Sequence, residues 1–547
     1  MGVYLNPGND KFEESISSEI YVDKTGMISY INSIVRTEQK NICVSRPRRF
    51  GKTIAANMLA SYYGRGDSRE LFEKLQIAGC ENWDKYLNHF DVIRVVMTDF
   101  IKDTKDVAAS LEKMTERILD DLAEEYPEVK YDPEDLSYSL EKFYRKTKTP
   151  FVIIIDEWDA IFRVRKQDKE GQKYYLDFLR DWMKDKSYVA LAYMTGILPI
   201  KKYGQHSALN MFRELSIIAP MQFAPYTGFT EEEVKNLCGQ YGRNFEAMKE
   251  WYNGYDVTDI IPPDPNYEKQ KEDGEELKPQ HYSIYSPLSV VEAIFSGIIQ
   301  NYWNKTENYE ALVEYIQMNF DGLKDAVALM MDGGRVKIDI RSYQNDMTNF
   351  NGRDDVLSLL IHLGYLKFDS ETDEVSIPNR EILAEFQSST KSEEWIGTFK
   401  AFQKSQELLK ATWNLEEEKI VELLEWFHDM AENKTYNSEA ALSYAVQMAY
   451  YAAQKYYTTI QELDSGKGYV DLVYLPAPKN SDKPAMLIEL KYDKTRETAV
   501  DQIRSKNYPQ KLEHYKGNLL LIGINYEKEL QSSSVEYKHH SCKIERA

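Results

Sequence analysis

RPRRFGKT, Arg46 to Thr53, is the stretch whose reading decides the fold of the N-terminal part of this chain. It follows the short apolar run Ile42, Cys43 and Val44 and leads into TIAANMLASYY, a helix-compatible segment. Strand, glycine-containing loop, Lys-Thr and helix together are the context that a phosphate-binding loop requires. Backbone N–H groups of such a loop and the positive end of the following helix hold phosphate oxygens. In that reading Lys52 reaches the terminal phosphates and Thr53 ligates magnesium, while Arg48, Arg49 and Gly51 complete the loop. Arg46 stands where the general pattern G-x-x-x-x-G-K-[ST] has its first glycine. Taken alone, the stretch is equally compatible with an ordinary basic turn.

TPFVIIIDEWDA supplies the second half of a nucleotide site. Phe151 to Ile155 form the continuous apolar run expected of a strand buried on both faces of a parallel sheet. Asp156 and Glu157 sit at its carboxyl end, where open α/β sheets collect ligands. There Asp156 is placed to hold magnesium and Glu157 to polarise an attacking water. HFDVIRVVMTDF (89–100) reads as a strand ending at Asp99, and SYVALAYMTGI (187–197) as another carrying Thr195 near its end. Thr195 is either a terminal-phosphate sensor or a strand cap. Arg213 is a candidate arginine finger acting in trans, an arrangement compatible with a homo-oligomer.

The chain of 547 residues is long enough for two to four domains. Four scattered cysteines, with no C-x-x-C pair, indicate neither a disulfide framework nor a zinc site and favour a reducing, cytoplasmic location. No apolar run approaches the roughly 18 residues of a membrane span, and the N-terminus lacks the regions of a signal peptide. Lys+Arg of 68 against Asp+Glu of 89 gives a net charge of −21, which argues against indiscriminate coating of nucleic acid. An enzyme acting on nucleic acid through a local basic groove and metal ions remains compatible with that charge.

The middle of the chain turns helical. Thr230 and Glu233 in FTEEEVKNLCGQYG form an expected capping box. Residues 258–283 read as a proline- and charge-rich surface insertion. Helix RDDVLSLLIHLGYL, hairpin KFDSETDEVSIPN and helix REILAEFQ suggest a small winged-helix-like unit, read as a lid because it offers few basic residues. A second capping box is expected at Asn414 and Glu417, and a long helix over 438–457.

Towards the C-terminus, Asp471 lies in a strand bounded by Gly468 and Pro476. AMLIELKY places Glu489 and Lys491 two residues apart, hence on one face, together with Leu487, while Ile488 and Leu490 face the opposite core. A charged pair inside an apolar strand is costly to bury without compensation. Asp471 and Glu489 binding Mg²⁺ would supply that compensation and activate water, with Lys491 orienting the nucleophile or stabilising developing charge. Gln502 and Lys506, in a following helix, and Glu439 and Glu462 are further candidates for this site.

In the order and spacing of these stretches, the chain resembles bacterial proteins with an N-terminal AAA-ATPase-like domain and a C-terminal PD-(D/E)XK nuclease domain. The matching stretches include YVDKT (21–25), RPRRFGKT, IIIDEWDA, TGI, GFTEEEV, WYNGY, YSPLSV, NYWNKT, SGKGYVDLV and IELKYDK. Arg46 in the glycine position is usual for that family, whereas Tyr469 stands where an arginine is common. The resemblance implies an α/β fold: a P-loop NTPase parallel sheet over 1–227, a helical, winged-helix-like lid over 228–390, and a restriction-endonuclease-like αβ domain over 391–547. It implies ATP and Mg²⁺ as cofactors and nucleotide and DNA as partners, with no membrane. The expected function is ATP binding and hydrolysis coupled to Mg²⁺-dependent DNA cleavage. The alternative is a nucleotide-gated switch or partner-binding protein whose nuclease fold is an inactive scaffold.

Overall fold

A computed structural model describes residues 2–200, 209–259, 280–303, 309–318, 320–344, 347–430, 439–464, 469–493, 501, 512, 515, 517–528 and 538–547. The chain divides into two compact units. The first comprises Met1–Tyr315 and Lys337–Phe386, the second Ile316–Val336 and Gln387–Ala547.

A five-stranded sheet forms the centre of the first unit. Its strands are β1 (Asn41–Ser45), β2 (Asp91–Val96), β3 (Phe151–Asp156), β4 (Val189–Gly196) and β5 (Arg213–Leu215), in the order β2-β3-β4-β1-β5. Every pairing is parallel. β1, β3 and β4 are buried along their whole length, which is why they read as unbroken apolar runs rather than alternating ones. β2 ends at Val96, not at Asp99: Met97 donates its N–H to the Asp156 carbonyl, and Asp99 falls in the short helix Thr98–Ile101.

Helix α1 (Lys52–Tyr63) follows the loop after β1 and packs on the sheet through Ala56, Leu59 and Tyr63. Further along, α2 (Ala160–Val164) follows β3. α3 (Glu231–Tyr241) begins with the expected capping box: Thr230 accepts from the Glu233 N–H, and Glu233 accepts from the Thr230 N–H. The expected insertion is flanked by an antiparallel ribbon, Tyr255–Asp259 against Gln280–Tyr285, and residues 260–279 lie outside the described residues. α4 (Pro287–Ser296) starts with Pro287 in its first turn, where a missing N–H costs nothing, and ends at Gly297 in a left-handed cap. Helix Arg353–Leu363 and the hairpin Lys367–Asp369/Glu374–Ser376 match the helix-and-hairpin pattern, followed by the helix that starts at Arg380.

The second unit is built on a mixed sheet of β6 (Tyr457–Asp464), β7 (Tyr469–Pro476), β8 (Ala485–Tyr492), β9 (Leu519–Tyr526) and β10 (His540–Arg546), in that order. β8 and β9 run parallel, and the other neighbours are antiparallel. α5 (Glu393–Trp413), α6 (Glu417–Met430) and α7 (Glu439–Ala449) contribute to the core on one face, against Ile488, Leu490, Ile522 and Ile524. The helix expected over 438–457 is shorter: it stops at Ala449, passes through a 3₁₀ turn over Tyr451–Lys455 and becomes β6. Tyr457, Thr458, Thr459 and Ile460 prefer a pleated strand to a helix, so the change of element follows composition. Asn414 ends α5 instead of capping α6, and Glu417 accepts the Ile544 N–H of β10 at 3.0 Å. No described helix is long and apolar enough to cross a membrane.

Candidate nucleotide and nuclease sites

The loop between β1 and α1 is shaped by two left-handed residues, Arg49 (φ 67°) and Gly51 (φ 83°). These turns bring the N-terminus of α1 to a cleft of about 670 Å³ whose walls include Arg48, Arg49, Lys52 and Thr53. Lys52 Nζ folds back to donate to the Arg46 carbonyl at 2.9 Å and the Pro47 carbonyl at 2.6 Å. Burial pulls its pKa down to about 8, against the attraction of Asp159, Asp156 and Glu157. A phosphate would compensate this partly desolvated ammonium.

Arg46 has a different role. It is 3% exposed, and its Nε donates to Thr227 Oγ1 at 2.7 Å. Nη1 donates to the Ser45 carbonyl (2.8 Å) and the Leu215 carbonyl (2.7 Å). The guanidinium thus ties the ends of β1 and β5 to the segment before α3, and Arg46 does not line the cleft.

Asp156 and Glu157 both reach the cleft. Asp156 Oδ1 accepts the Glu157 N–H at 3.0 Å, whereas buried Oδ2 meets no donor among the described residues. Burial raises the Asp156 pKa, and the nearby Thr53 hydroxyl, Arg94 and Lys52 oppose that rise. A buried carboxylate oxygen with spare acceptor capacity, beside a threonine hydroxyl and below a lysine, fits a magnesium–triphosphate. Thr53 and Asp156 would hold the metal, directly or through water. Thr195 is fully buried, in register with Asp156 and Val44, and flanks the cleft rather than lining it. Arg213 is spent elsewhere: it donates to the Tyr30 hydroxyl and Met221 Sδ, both at 3.0 Å.

The rest of the lining had been given no role in the sequence. Ile20, Tyr21 and Val22 from the N-terminal segment meet Tyr226, Phe229 and Leu288 there, an apolar slot suited to a flat base. Lys24 fixes the N-terminal segment: Nζ donates to both Glu233 carboxylate oxygens (2.6 Å) and to the Pro225 carbonyl (2.7 Å). Asp23 receives the Thr25 and Gln76 N–H groups, so YVDKT is an anchoring turn. Arg163, in α2, also lines the cleft and had no signal in sequence beyond its place after DEWD.

In the second unit, Leu472 pairs with Ile488 and Val473 with Leu487. Leu487 and Val473 belong to one core face, Ile488 and Leu490 to the other, as the alternation predicts. Asp471 and Glu489 therefore share the Leu487 face, and Asp471 Oδ2 accepts the Leu490 N–H at 2.7 Å. Glu489 is 1% and Lys491 5% exposed, and Lys491 Nζ lies 3.0 Å from Glu489 Oε1. Two carboxylates with a buried lysine fit a hard divalent cation that keeps water in its shell. No group of three metal-ligating side chains occurs among the described residues. Gln502 and Lys506, and the side chains of Glu439 and Glu462, lie outside the described residues.

Comparison with known proteins agrees with this division. The AAA-ATPase-like family, described as a predicted AAA-ATPase, matches residues 7–205, and the PD-(D/E)XK nuclease superfamily matches residues 442–534. The chain carries an AAA-ATPase-like domain followed by a PD-(D/E)XK nuclease-superfamily domain. Among solved structures it is similar to the Aeropyrum pernix ORC2 protein in ADPNP–ADP complexes, at 10% identity and a TM-score of 0.30, covering 70% of this chain and 97% of that one. It is also similar to Cdc6p from Pyrobaculum aerophilum, at 9% identity, a TM-score of 0.24, and 70% and 97% coverage. The Aeropyrum pernix ORC1 protein in complex with DNA gives 10% identity, a TM-score of 0.26, and 73% and 99% coverage. No curated protein matches the chain.

Proposed function

We propose that the protein is a nucleotide-controlled, Mg²⁺-dependent nuclease: its N-terminal part binds and hydrolyses ATP, and its C-terminal part cleaves DNA phosphodiester bonds. In this reading residues 1–227 grip the nucleotide, 228–390 form the lid (apart from 316–336 and 387–390, which belong to the second unit), and 391–547 cut. The setting is cytoplasmic. Arg48, Arg49, Gly51, Lys52 and Thr53 hold phosphates, Thr53 and Asp156 hold the metal, Glu157 orients water, and Thr195 supports Asp156. Asp471 and Glu489 hold the nuclease metal, which supplies a water nucleophile at neutral pH. Lys491 neutralises charge on the scissile phosphate, and Gln502 contributes from its segment.

One observation carries the nuclease half. An acidic and a basic side chain are both buried on one strand face beside Asp471, where a purely structural strand would carry apolar groups. A second reading, an inactive scaffold gated by nucleotide, draws on the same pair: Lys491 already neutralises Glu489 at 3.0 Å, so the face tolerates the absence of metal. Incubating DNA with the full chain and Mg²⁺ separates the two. Nicking or cutting by wild type that disappears in Asp471→Ala and Lys491→Ala supports the nuclease, whereas intact DNA with wild type under every nucleotide condition leaves the scaffold.

A further inference from the structure

Arg163 sits in the nucleotide cleft with two carboxylates on it. Its Nε donates to Asp159 Oδ2 at 3.1 Å and its Nη2 to Glu157 Oε2 at 3.3 Å. The two partners differ in kind. Asp159 is fully buried, and the same Oδ2 accepts the Ile197 N–H (3.1 Å) and Leu198 N–H (3.0 Å) just beyond β4. That side of the guanidinium is fixed. The Glu157 carboxylate is 40% exposed, on a residue held at φ 52°, a left-handed conformation that non-glycine residues seldom adopt. A half-exposed ion pair of this geometry is weak and easily exchanged.

We propose that Arg163 is the terminal-phosphate sensor of this cleft: it restrains Glu157 until a nucleoside triphosphate arrives, then exchanges that carboxylate for the terminal phosphate. The inference rests on the nucleotide-binding reading above and adds its regulation. A triphosphate brings more negative charge than one carboxylate and offers a guanidinium fork several acceptors. Exchange leaves Arg163 anchored to Asp159 and frees Glu157 to orient water. A diphosphate lacks the group that would reach Arg163, so Glu157 stays restrained. The device makes an arginine from this chain, rather than Arg213 of a second copy, the cation that reads the triphosphate.

The test compares affinities for ADP and for a non-hydrolysable ATP analogue, both with Mg²⁺, by isothermal titration of the full chain. Arg163→Ala is expected to lose about tenfold in affinity for the analogue, roughly one charged contact, with ADP binding unchanged. Arg163→Lys, which keeps Asp159 compensated, recovers part of that loss. Glu157→Gln, which releases the guanidinium, tightens analogue binding in the presence of Arg163 and not in Glu157→Gln/Arg163→Ala. If Arg163→Ala fails to fold, Arg163→Lys and Glu157→Gln decide. Equal weakening of ADP and analogue in the Arg163 variants, or no change in either, overturns the proposal. Failure of the underlying reading has its own signature, wild type binding neither nucleotide and Lys52→Ala behaving like wild type, and the sensor falls with it.

Discussion

Arg46 Nε donates to Thr227 Oγ1 at 2.7 Å across 181 residues of sequence, and the residue that breaks the usual phosphate-loop pattern is thereby a buried clamp. The loop departs from its first glycine because the side chain there joins β1 and β5 to the segment before α3. Restoring the pattern should therefore harm the protein. Arg46→Gly is expected to lose about 3 kcal/mol of unfolding free energy, since three acceptors lose a charged donor inside the fold. Thr227→Ala loses about 1 kcal/mol, and the double variant loses less than the sum. Urea unfolding measures all three; an Arg46→Gly protein as stable as wild type contradicts the clamp.

Lys52 gives a pH signature. Its pKa is lowered to about 8 by burial, so the charge that phosphate needs is present below that pH and lost above it. Nucleotide affinity should be flat at neutral pH and fall by up to about tenfold per unit from about pH 8 upward. Fluorescent-nucleotide titration across that range checks the sign, and Lys52→Arg, which stays charged, should flatten the fall.

Gly364 adopts φ 90°, and a Cβ there would lie 2.8 Å from Pro47 and 2.9 Å from Trp303. Next to it, Phe50 packs edge-on against Tyr255 with ring centroids 5.3 Å apart, and Tyr255 donates to the Gly364 carbonyl at 2.5 Å. The phosphate loop is thus wedged against Gly364, a residue far along the chain. Gly364→Ala should push Pro47 away and weaken nucleotide binding about tenfold, a loss that titration would show beside intact far-UV circular dichroism.

Much of this was legible from local pattern. The buried strands declared themselves as apolar runs, the Thr230–Glu233 box as a spacing, and Glu489 and Lys491 as same-face residues. What escaped depends on distant partners. Arg46 looked like a defect because Thr227 and Leu215 are remote in sequence. Arg163 belongs to no motif: Asp159 stands only one helical turn before it, but what fixes that carboxylate, the Ile197 and Leu198 N–H groups, comes from beyond β4. The Asn414–Glu417 pattern had the right spacing, but Leu415 lies at φ 63° and Asn414 closes the preceding helix, so the box never forms.

Glu381 is a buried carboxylate that accepts the Tyr302 N–H (2.8 Å), the Trp303 N–H (3.1 Å) and the Ser289 hydroxyl (2.8 Å). Burial raises its pKa from 4.5 to about 7 despite those donors. The folded state therefore binds the proton more tightly than the unfolded one, and stability falls as pH rises from about 4.5 to 7, then levels. Glu381→Gln keeps an acceptor for both N–H groups and should abolish that slope, worth up to about 3 kcal/mol. Thermal unfolding at a series of pH values shows whether the slope is Glu381's.

Divalent metal should stabilise the chain through Asp471 and Glu489. Mg²⁺ or Mn²⁺ is expected to raise the thermal midpoint of wild type, and Asp471→Asn or Glu489→Gln to remove the increment attributable to this site. Scans without nucleotide keep the phosphate-loop metal from contributing.

The most direct test of the central claim is the rate of Mg²⁺-dependent DNA cleavage by the full chain with and without ATP, in wild type and Lys52→Ala. Nucleotide control predicts that ATP changes the wild-type rate by about fivefold or more, in the range of ordinary coupling free energies, while Lys52→Ala cuts at one rate regardless of ATP. A wild-type rate indifferent to ATP, or a Lys52→Ala protein that responds to ATP as wild type does, would contradict it.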